Sequence, residues 1–235
     1  MFVLFGGKTK TPFCVDGTTP ITAMRYVAFD TELTGLDEKT DAIVSLGAVR
    51  MTGGSIHLGE TFYCLVNPGK GIAASSVVIH EITPADVQEQ PGIKTALRDF
   101  LGFCGQAVLV GHFVSIDRGF LDRDLRQISG KPCALPVIDT FSIYTWLRQR
   151  LQNAEYFRAP ETGVKLYDIA RCFNIAVEGA HNALQDAFIT AQLLQRFLPL
   201  LGTAGVMDIG DLLRIGTPFE GGDHHRPPIG EFSNF

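Results

Sequence analysis

The order of the secondary-structure signals restricts the fold of this chain more than any other pattern in its sequence. Three strand-like segments come first, and the Gly53-Gly54 turn signal separates the second from the third, so we expect an antiparallel meander. The later segments alternate between short strands and amphipathic helices, which is typical of helices packed on the faces of one sheet. The sequence therefore predicts an α/β fold with a mixed five-stranded sheet, in which parallel strands follow three antiparallel ones and helices cover both faces.

Apolar periodicity and cap signals define the individual elements. Strands are predicted over residues 25–31, 41–51, 56–66, 107–111 and 137–139. Helices are predicted over residues 93–104, 117–129, 140–151, 165–173 and 182–201, with a short piece over residues 206–213. We expect one domain over residues 24–201, an N-terminal extension over residues 1–23, and a C-terminal extension over residues 202–235 that is partly disordered.

Composition and charge limit the classes of function. The chain of 235 residues is 46% hydrophobic, which is enough for one core, and its formal net charge is −5. That charge argues against a protein that binds nucleic acid through bulk electrostatics. The five cysteines are scattered without metal-ligand spacing. Neither a signal peptide nor an apolar span of about 18 residues is present, so the sequence predicts a cytoplasmic protein without membrane contact.

A pair of acids ends the first predicted strand. Asp30 and Glu32 alternate with Thr31, so both carboxylates point to one face of the strand and repel each other. Such a pair is stable when a cation lies between the two groups, most simply a divalent metal bound by hard oxygen ligands. Most Asp-x-Glu pairs lie on solvated surfaces, and the pair alone leaves that alternative open.

Three more polar residues occur where the local pattern favours apolar ones. Asp117 opens a predicted helix after a core strand, where helix capping is the favoured explanation and metal binding is the alternative. Asp186 borders the apolar stripe of the last long helix, where an unpaired buried carboxylate would be costly. His181 is about 140° from Asp186 on a continuous helix, so it reaches the same site only from a loop ahead of an Asn182 cap. The alternative for His181 is an ordinary surface histidine.

The acids and the histidine follow the order of the DEDDh motifs, which is Asp-x-Glu, then Asp, then His-x-x-x-x-Asp. Over about residues 24–200 the sequence resembles the DnaQ-like 3′–5′ exonucleases, the family that includes the proofreading subunit of bacterial replicative polymerase. Residues 29–36, FDTELTGL, are similar to that family's FDxETTGL, and residues 78–83 are similar to its xxHGIT. The resemblance implies an RNase H-like fold and the release of nucleoside 5′-monophosphates from single-stranded DNA 3′ ends, in proofreading or repair.

The resemblance also implies a role for each site residue. Two divalent ions, Mg²⁺ or Mn²⁺, would be held by four acids: Asp30, Glu32, Asp117 and Asp186. His181 would take a proton from the attacking water. Substrate contacts are expected from a further group: Leu33, Thr34, Gly35, His80, Ile82 and Phe113. Leu33, Glu81 and Phe113 depart from the family pattern where the family contacts nucleotide, so they leave the substrate preference open.

Two rival functions fit parts of the same pattern. An exonuclease of the same superfamily that acts on RNA or on short oligoribonucleotides needs the same acids, and rates on DNA and RNA of equal length would separate the two. A non-catalytic nucleic-acid-binding module is the rival of another class, against which the complete set of acids and His181 speaks. If the chain is the single-stranded DNA exonuclease that the resemblance implies, a DNA polymerase subunit is a candidate partner.

Overall fold

One mixed five-stranded sheet forms the centre of the computed structural model, which describes residues 15–151, 157, 163–177 and 181–218. The strands are β1 Arg25–Leu33, β2 Ile43–Thr52, β3 Ser55–Leu65, β4 Val108–Gly111 and β5 Val137–Asp139. They lie in the order β3-β2-β1-β4-β5. The first three pair antiparallel, whereas β4 runs parallel to β1 and β5 runs parallel to β4. The predicted mixed sheet is therefore confirmed.

Helices of the described residues cover both faces of the sheet: α1 Ala74–His80, α2 Pro84–Val87, α3 Ile93–Cys104, α4 Ser115–Ser129, α5 Thr140–Arg150, α6 Leu166–Cys172, α7 Ala183–Thr203 and α8 Ile209–Ile215. Alternate residues of β1 point to opposite faces. Tyr26 and Ala28 join a core with α5 to α8, whereas Val27 and Phe29 join a core with α3 and α4. All four side chains are at most 1% exposed, and burying a large apolar side chain contributes about 1.5–3 kcal/mol to folding.

Several element bounds differ from the sequence prediction by a few residues, and three further differences concern α1, β1 and α4. The sequence did not predict α1, because its N-cap residue, Ala73, has no side chain that can bond the first turn. β1 continues beyond its predicted end to Leu33, so Glu32 belongs to the sheet. α4 begins at Ser115, ahead of the predicted start at Asp117.

The segments that flank the predicted domain pair with each other. The N–H of Ile21 donates to the carbonyl of Met207 at 3.0 Å, and Ile21 is 2% exposed. The N–H of Asp139, at the end of β5, donates to the carbonyl of Gly216 at 2.8 Å. Parts of both predicted extensions therefore pack against the sheet and its helices.

The predicted domain boundaries and the cytoplasmic location stay predictions. Residues 1–14 and 219–235, which include the predicted disordered tail, lie outside the described residues, as does most of the segment over residues 152–162. Of the helices described, none has both the length and the apolarity needed to cross a bilayer.

Candidate active site

A cavity of about 530 Å³ lies at the carboxyl end of β1. Residues from β1, α1, α4, α6 and the start of α7 line it, together with the connection between β4 and α4. The wall includes every acid and the histidine that the sequence singled out: Asp30, Glu32, Asp117, His181 and Asp186. Segments more than a hundred residues apart in the chain therefore meet at one place.

Three of the acids form a compact cluster. Carboxylate oxygens of Asp30, Glu32 and Asp186 all lie within 4.8 Å of one another. Asp30 and Glu32 project from the same face of β1, as their alternation predicted. Asp186 comes from the first turn of α7 and is 7% exposed, so its carboxylate is carried into the cavity rather than into solvent.

A glycine in β2 lets α7 approach the sheet this closely. Gly47 pairs with Asp30 across the sheet. A Cβ at this position would lie 2.2 Å from the carbonyl carbon of Ala183 and 2.2 Å from the nitrogen of Leu184, which is closer than any side chain can pack. The helix therefore begins directly on Gly47, and the cap side chain of Asn182 accepts hydrogen bonds from the first turn, as the sequence predicted.

Asp117 lies in the first turn of α4 but does not cap it. The N-cap residue of α4 is Val114, and no side chain makes a cap hydrogen bond there. Instead, the hydroxyl of Thr31 donates to Oδ1 of Asp117 at 2.5 Å. The structure thus favours the cavity-facing interpretation of Asp117 over the capping one.

Burial raises the pKa values of all four acids, and the charges of neighbouring carboxylates add to this effect for Asp30 and Glu32. The pKa of Asp30 lies well above its ordinary range, because burial is reinforced by the charges of the other three carboxylates. Burial, with the charges of Asp186 and Asp117, raises the pKa of Glu32 to about 8. Burial raises the pKa values of Asp117 and Asp186 to about 6. The four groups cannot all be ionised at neutral pH unless a cation offsets their charge.

The cluster fits a hard divalent metal ion. Its donor atoms are carboxylate oxygens, which Mg²⁺ and Mn²⁺ prefer. The carboxylates of Asp30 and Glu32 accept no hydrogen bond from the described residues, so their lone pairs face the cavity. Asp30, Glu32 and Asp186 are the residues that would hold such an ion, and Asp117 lines the same space.

His181 lies in the loop ahead of α7, as the sequence predicted. Its backbone φ is 65°, in the left-handed region that few side-chain-bearing residues adopt. Burial and, to a smaller extent, the charge of Lys165 lower the pKa of His181 from its ordinary value of 6.5. The imidazole is therefore neutral at pH 7 and able to accept a proton.

Sequence reasoning missed Tyr167 of α6. Its hydroxyl lies 2.7 and 2.9 Å from the two carboxylate oxygens of Asp186, to which it donates. The same hydroxyl accepts from the N–H of His181 at 2.7 Å, and the rings of Tyr167 and His181 meet edge to face at 5.4 Å. A tyrosine in a predicted amphipathic helix carries no local signal for such a role, because its partners are distant in sequence.

Four of the six expected substrate contacts line the cavity: Leu33, Gly35, His80 and Phe113. Thr34 and Ile82 do not line it. The hydroxyl of Thr34 is taken up by Asp41, to which it donates at 2.8 Å. Ile82 is 8% exposed and belongs to a small apolar cluster with Val44 and Val87.

Asp139, to which the sequence assigned no role in the site, holds Phe113 in place. The N–H of Phe113 donates to Asp139 at 3.1 Å, and the φ of Phe113 is 51°. Asp139 also caps α5 by accepting from the N–H of Phe141 at 2.8 Å. The Phe113 ring lies 4.6 Å from that of Phe141 and 4.7 Å from that of His112, so its orientation is fixed from two sides.

A comparison with family models identifies the family of this site. The model described as Exonuclease, RNase_T, matches residues 27–194. The chain belongs to this exonuclease family. Its matched residues run from β1 to the middle of α7, so they include every acid of the cavity and His181.

Relatives and solved structures agree with this assignment. A DNA polymerase III subunit epsilon-like protein of Rhodobacter capsulatus is 38% identical over 198 residues, which are 83% of this chain but only 27% of that protein. The DNA polymerase III subunit epsilon of Aquifex aeolicus is 34% identical over 176 residues, or 74% of this chain and 80% of that protein.

The structure of Escherichia coli Exonuclease I in complex with a dT13 oligonucleotide superposes with a TM-score of 0.68 at 15% identity. The match covers 77% of this chain and 42% of that one. At this identity the likeness shows the fold alone, and it confirms the RNase H-like fold expected from the sequence.

Proposed function

We propose that this chain is a metal-dependent 3′–5′ exonuclease that hydrolyses single-stranded DNA ends to nucleoside 5′-monophosphates. The observation that carries the proposal is the group of Asp30, Glu32 and Asp186, whose oxygens lie within 4.8 Å of one another beside Asp117 and His181. Asp186 is buried, and Asp30 and Glu32 are half-buried. A charge cluster of this kind destabilises the fold, because acids withdrawn from water lose hydration and repel each other. A bound cation offsets both effects.

Two divalent ions, Mg²⁺ or Mn²⁺, match the charge of four ionised carboxylates. Such ions supply charge stabilisation to the attacking and leaving oxygens of phosphodiester hydrolysis. The chain's own contribution is to hold the four acids around one cavity. In this proposal Asp30, Glu32 and Asp186, whose oxygens lie within 4.8 Å of one another, are the main metal ligands, and Asp117 completes the metal centre.

His181 is the general base of the proposed reaction. Its imidazole is neutral at pH 7, because burial and Lys165 lower its pKa. It lines the same cavity as the acids, from a loop that precedes α7. A histidine that accepts a proton from water in the transition state contributes about 10²–10⁴-fold to the rate.

The lining of the cavity suits a single nucleic acid strand more than a duplex surface. Of the described residues that line it, Lys165 is the one lysine or arginine, so phosphate affinity must come largely from bound metal. Leu33, His80 and Phe113 offer apolar and ring surfaces on which terminal bases can pack, and such packing tolerates any sequence. The oligonucleotide complex of Exonuclease I supports a single-stranded DNA substrate.

A role in proofreading or repair, with a DNA polymerase subunit as partner, is supported by the polymerase III relatives. The Aquifex aeolicus relative is matched over 80% of its length, so the similarity extends over most of that subunit. Gel filtration of the chain with a polymerase catalytic subunit would test this part of the proposal separately from the chemistry.

The deciding experiment follows products from single-stranded DNA and RNA of equal length, labelled at either end. We expect stepwise shortening from the 3′ end of DNA, release of 5′-monophosphates, and complete loss of both with a chelator. Asp30→Ala should be inactive while its circular dichroism spectrum stays native. Faster cleavage of RNA would favour the RNA-directed alternative. Binding without cleavage by the metal-loaded wild type would favour the non-catalytic module.

A further inference from the structure

The Tyr167 hydroxyl connects Asp186, in the first turn of α7, with His181, in the loop before α7. The Tyr167 hydroxyl has one proton to donate and accepts through its oxygen. It donates toward the two oxygens of Asp186, at 2.7 and 2.9 Å, and accepts from the N–H of His181 at 2.7 Å. Its full hydrogen-bonding capacity is therefore directed at Asp186 and at the backbone of His181.

The backbone of His181 needs such a contact. Its φ of 65° is unfavourable for a residue with a Cβ, so the surrounding contacts must hold it there. The next residue, Asn182, uses its side chain to cap α7 and not to bond His181. The hydroxyl of Tyr167 and, to a smaller extent, the N–H of His181 hold down the pKa of Asp186 against the effect of burial.

The Tyr167 ring adds a second restraint. It packs against the core that contains α5 to α8 and meets the imidazole of His181 edge to face, with ring centroids 5.4 Å apart. A phenylalanine at this position would keep both ring contacts and lose only the hydroxyl. Tyr167→Phe therefore separates the hydrogen bonds of the side chain from its ring contacts.

We propose that Tyr167 is a positioning residue, whose hydroxyl fixes the His181 loop relative to the Asp186 carboxylate and thereby orients the base against the metal centre. The kinetic part of this inference rests on the proposed exonuclease function. The structural part, which is the hydrogen bond from the His181 amide, does not.

The test compares wild type with Tyr167→Phe in three measurements. Loss of a group that orients a metal ligand lowers metal affinity or activity by about 10–100-fold, so we expect kcat to fall in that range. The KM for a single-stranded oligonucleotide should change less than twofold, since the hydroxyl is directed at protein groups. The Mg²⁺ concentration that gives half-maximal activity should rise, because Asp186 loses the donor that orients it.

A matched control removes an equivalent hydroxyl elsewhere. Tyr26 lies on β1, does not line the cavity, and donates from its buried hydroxyl to the carbonyl of Ile21 at 3.0 Å. Tyr26→Phe should lower the melting temperature and leave kcat and the Mg²⁺ requirement unchanged. If both variants lower kcat equally, general destabilisation explains the loss and the proposal is overturned.

The third measurement does not depend on activity. Protein labelled with ¹⁵N-histidine and free of metal gives amide signals for the six histidines, and His181→Gln identifies the signal of His181. In Tyr167→Phe this signal should move upfield and its amide should exchange faster with solvent. An unchanged amide overturns the inference even if the wild type is an active nuclease. An inactive wild type whose amide responds as expected would instead count against the proposed function.

Discussion

Asp117 and Asp186 are held by the same chemistry in two different settings. Each accepts from a hydroxyl: Asp117 from Thr31 at 2.5 Å, and Asp186 from Tyr167 at 2.7 and 2.9 Å. Thr31 belongs to β1, which has a strand on either side, whereas Tyr167 belongs to the short helix α6 and also holds the His181 loop. The sheet fixes the Asp117 side of the site, whereas the Asp186 side depends on the packing of α7 against Gly47 and on one hydroxyl network. The proposed base, His181, lies on the Asp186 side.

The largest expected effect comes from removing the charge of either acid. Asp186→Asn should lower kcat by about 10³-fold, because Asp186 belongs to the group of oxygens within 4.8 Å. Asp117→Asn should lower it by about 10²-fold, since Asp117 lies outside that group. Turnover of a 3′-labelled oligonucleotide at saturating Mg²⁺ measures both, with the exposed Glu89→Gln as a control. Equal losses of kcat in Asp186→Asn and Asp117→Asn would show that the two acids contribute equally, which contradicts this prediction.

Replacing His181, the proposed base, tests the Asp186 side directly. His181→Gln should lower kcat by about 10²-fold, at the lower end of the range for a general base, with little change in Mg²⁺ binding. The wild-type rate should fall as pH drops below 6.5, because His181 must be neutral and its pKa is lowered from that value. The variant should lose this acidic limb. A rate–pH profile that keeps its shape in the variant would rule out His181 as the base.

Gly47→Ala tests whether close packing of α7 sets the position of Asp186. The added Cβ overlaps the backbone of Ala183, so α7 must move away from the sheet. We expect the free energy of unfolding to fall by about 1–3 kcal/mol and the Mg²⁺ requirement to rise. Gly59→Ala in β3, where a Cβ would meet nothing within 4 Å, is the matched control. Denaturant titration of both variants, followed by Mg²⁺ titration of activity, measures the two effects.

Thr31→Val is the counterpart of Tyr167→Phe on the side held by the sheet. The change keeps the shape of the side chain and removes the donor to Asp117, whose pKa should rise because that donor holds it down. We expect a smaller loss of kcat than in Tyr167→Phe, since β1 still fixes the surrounding backbone. The amide signal of His181 should not move. A shift of that signal would show that the two sides are coupled.

The smallest expected effect is a slope of stability with pH in the metal-free protein. The pKa of Glu32 is about 8 in the folded chain against an ordinary value of 4.5. Between these values the folded state keeps a proton that the unfolded state has released, so stability falls as pH rises. The melting temperature should therefore be lower at pH 8 than at pH 5. Saturating Mg²⁺ should reduce the difference, and so should Glu32→Gln.

Local pattern predicted the sheet and the face on which some site residues lie, and the family resemblance predicted that they form one site. The alternation along β1 places Asp30 and Glu32 on one face whatever the rest of the chain does. The 140° offset between His181 and Asp186 required a loop histidine, and the Asn182 cap marked where α7 begins. These inferences depend only on backbone geometry, which neighbouring sequence determines.

Long-range contacts were beyond the reach of the sequence. The Thr31–Asp117 bond joins residues 86 positions apart, and Tyr167 reaches Asp186 only because α6 packs beside α7. Thr34 was expected at the substrate surface from the family pattern. The structure gives its hydroxyl to Asp41, seven residues later, because the turn after β1 folds back on itself.

The segment after α7 belongs to the smallest fragment of the chain in which the cavity should stay intact. Asp139 orients Phe113 through its carboxylate, while its own N–H is bonded to the carbonyl of Gly216. Cutting the chain after α7 would leave that N–H and the outer edge of β5 open to water or to another strand. A recombinant fragment that ends after α7 should therefore aggregate more readily than the longer chain. It should also hold Phe113 less firmly, although Phe113 is distant in sequence from the cut.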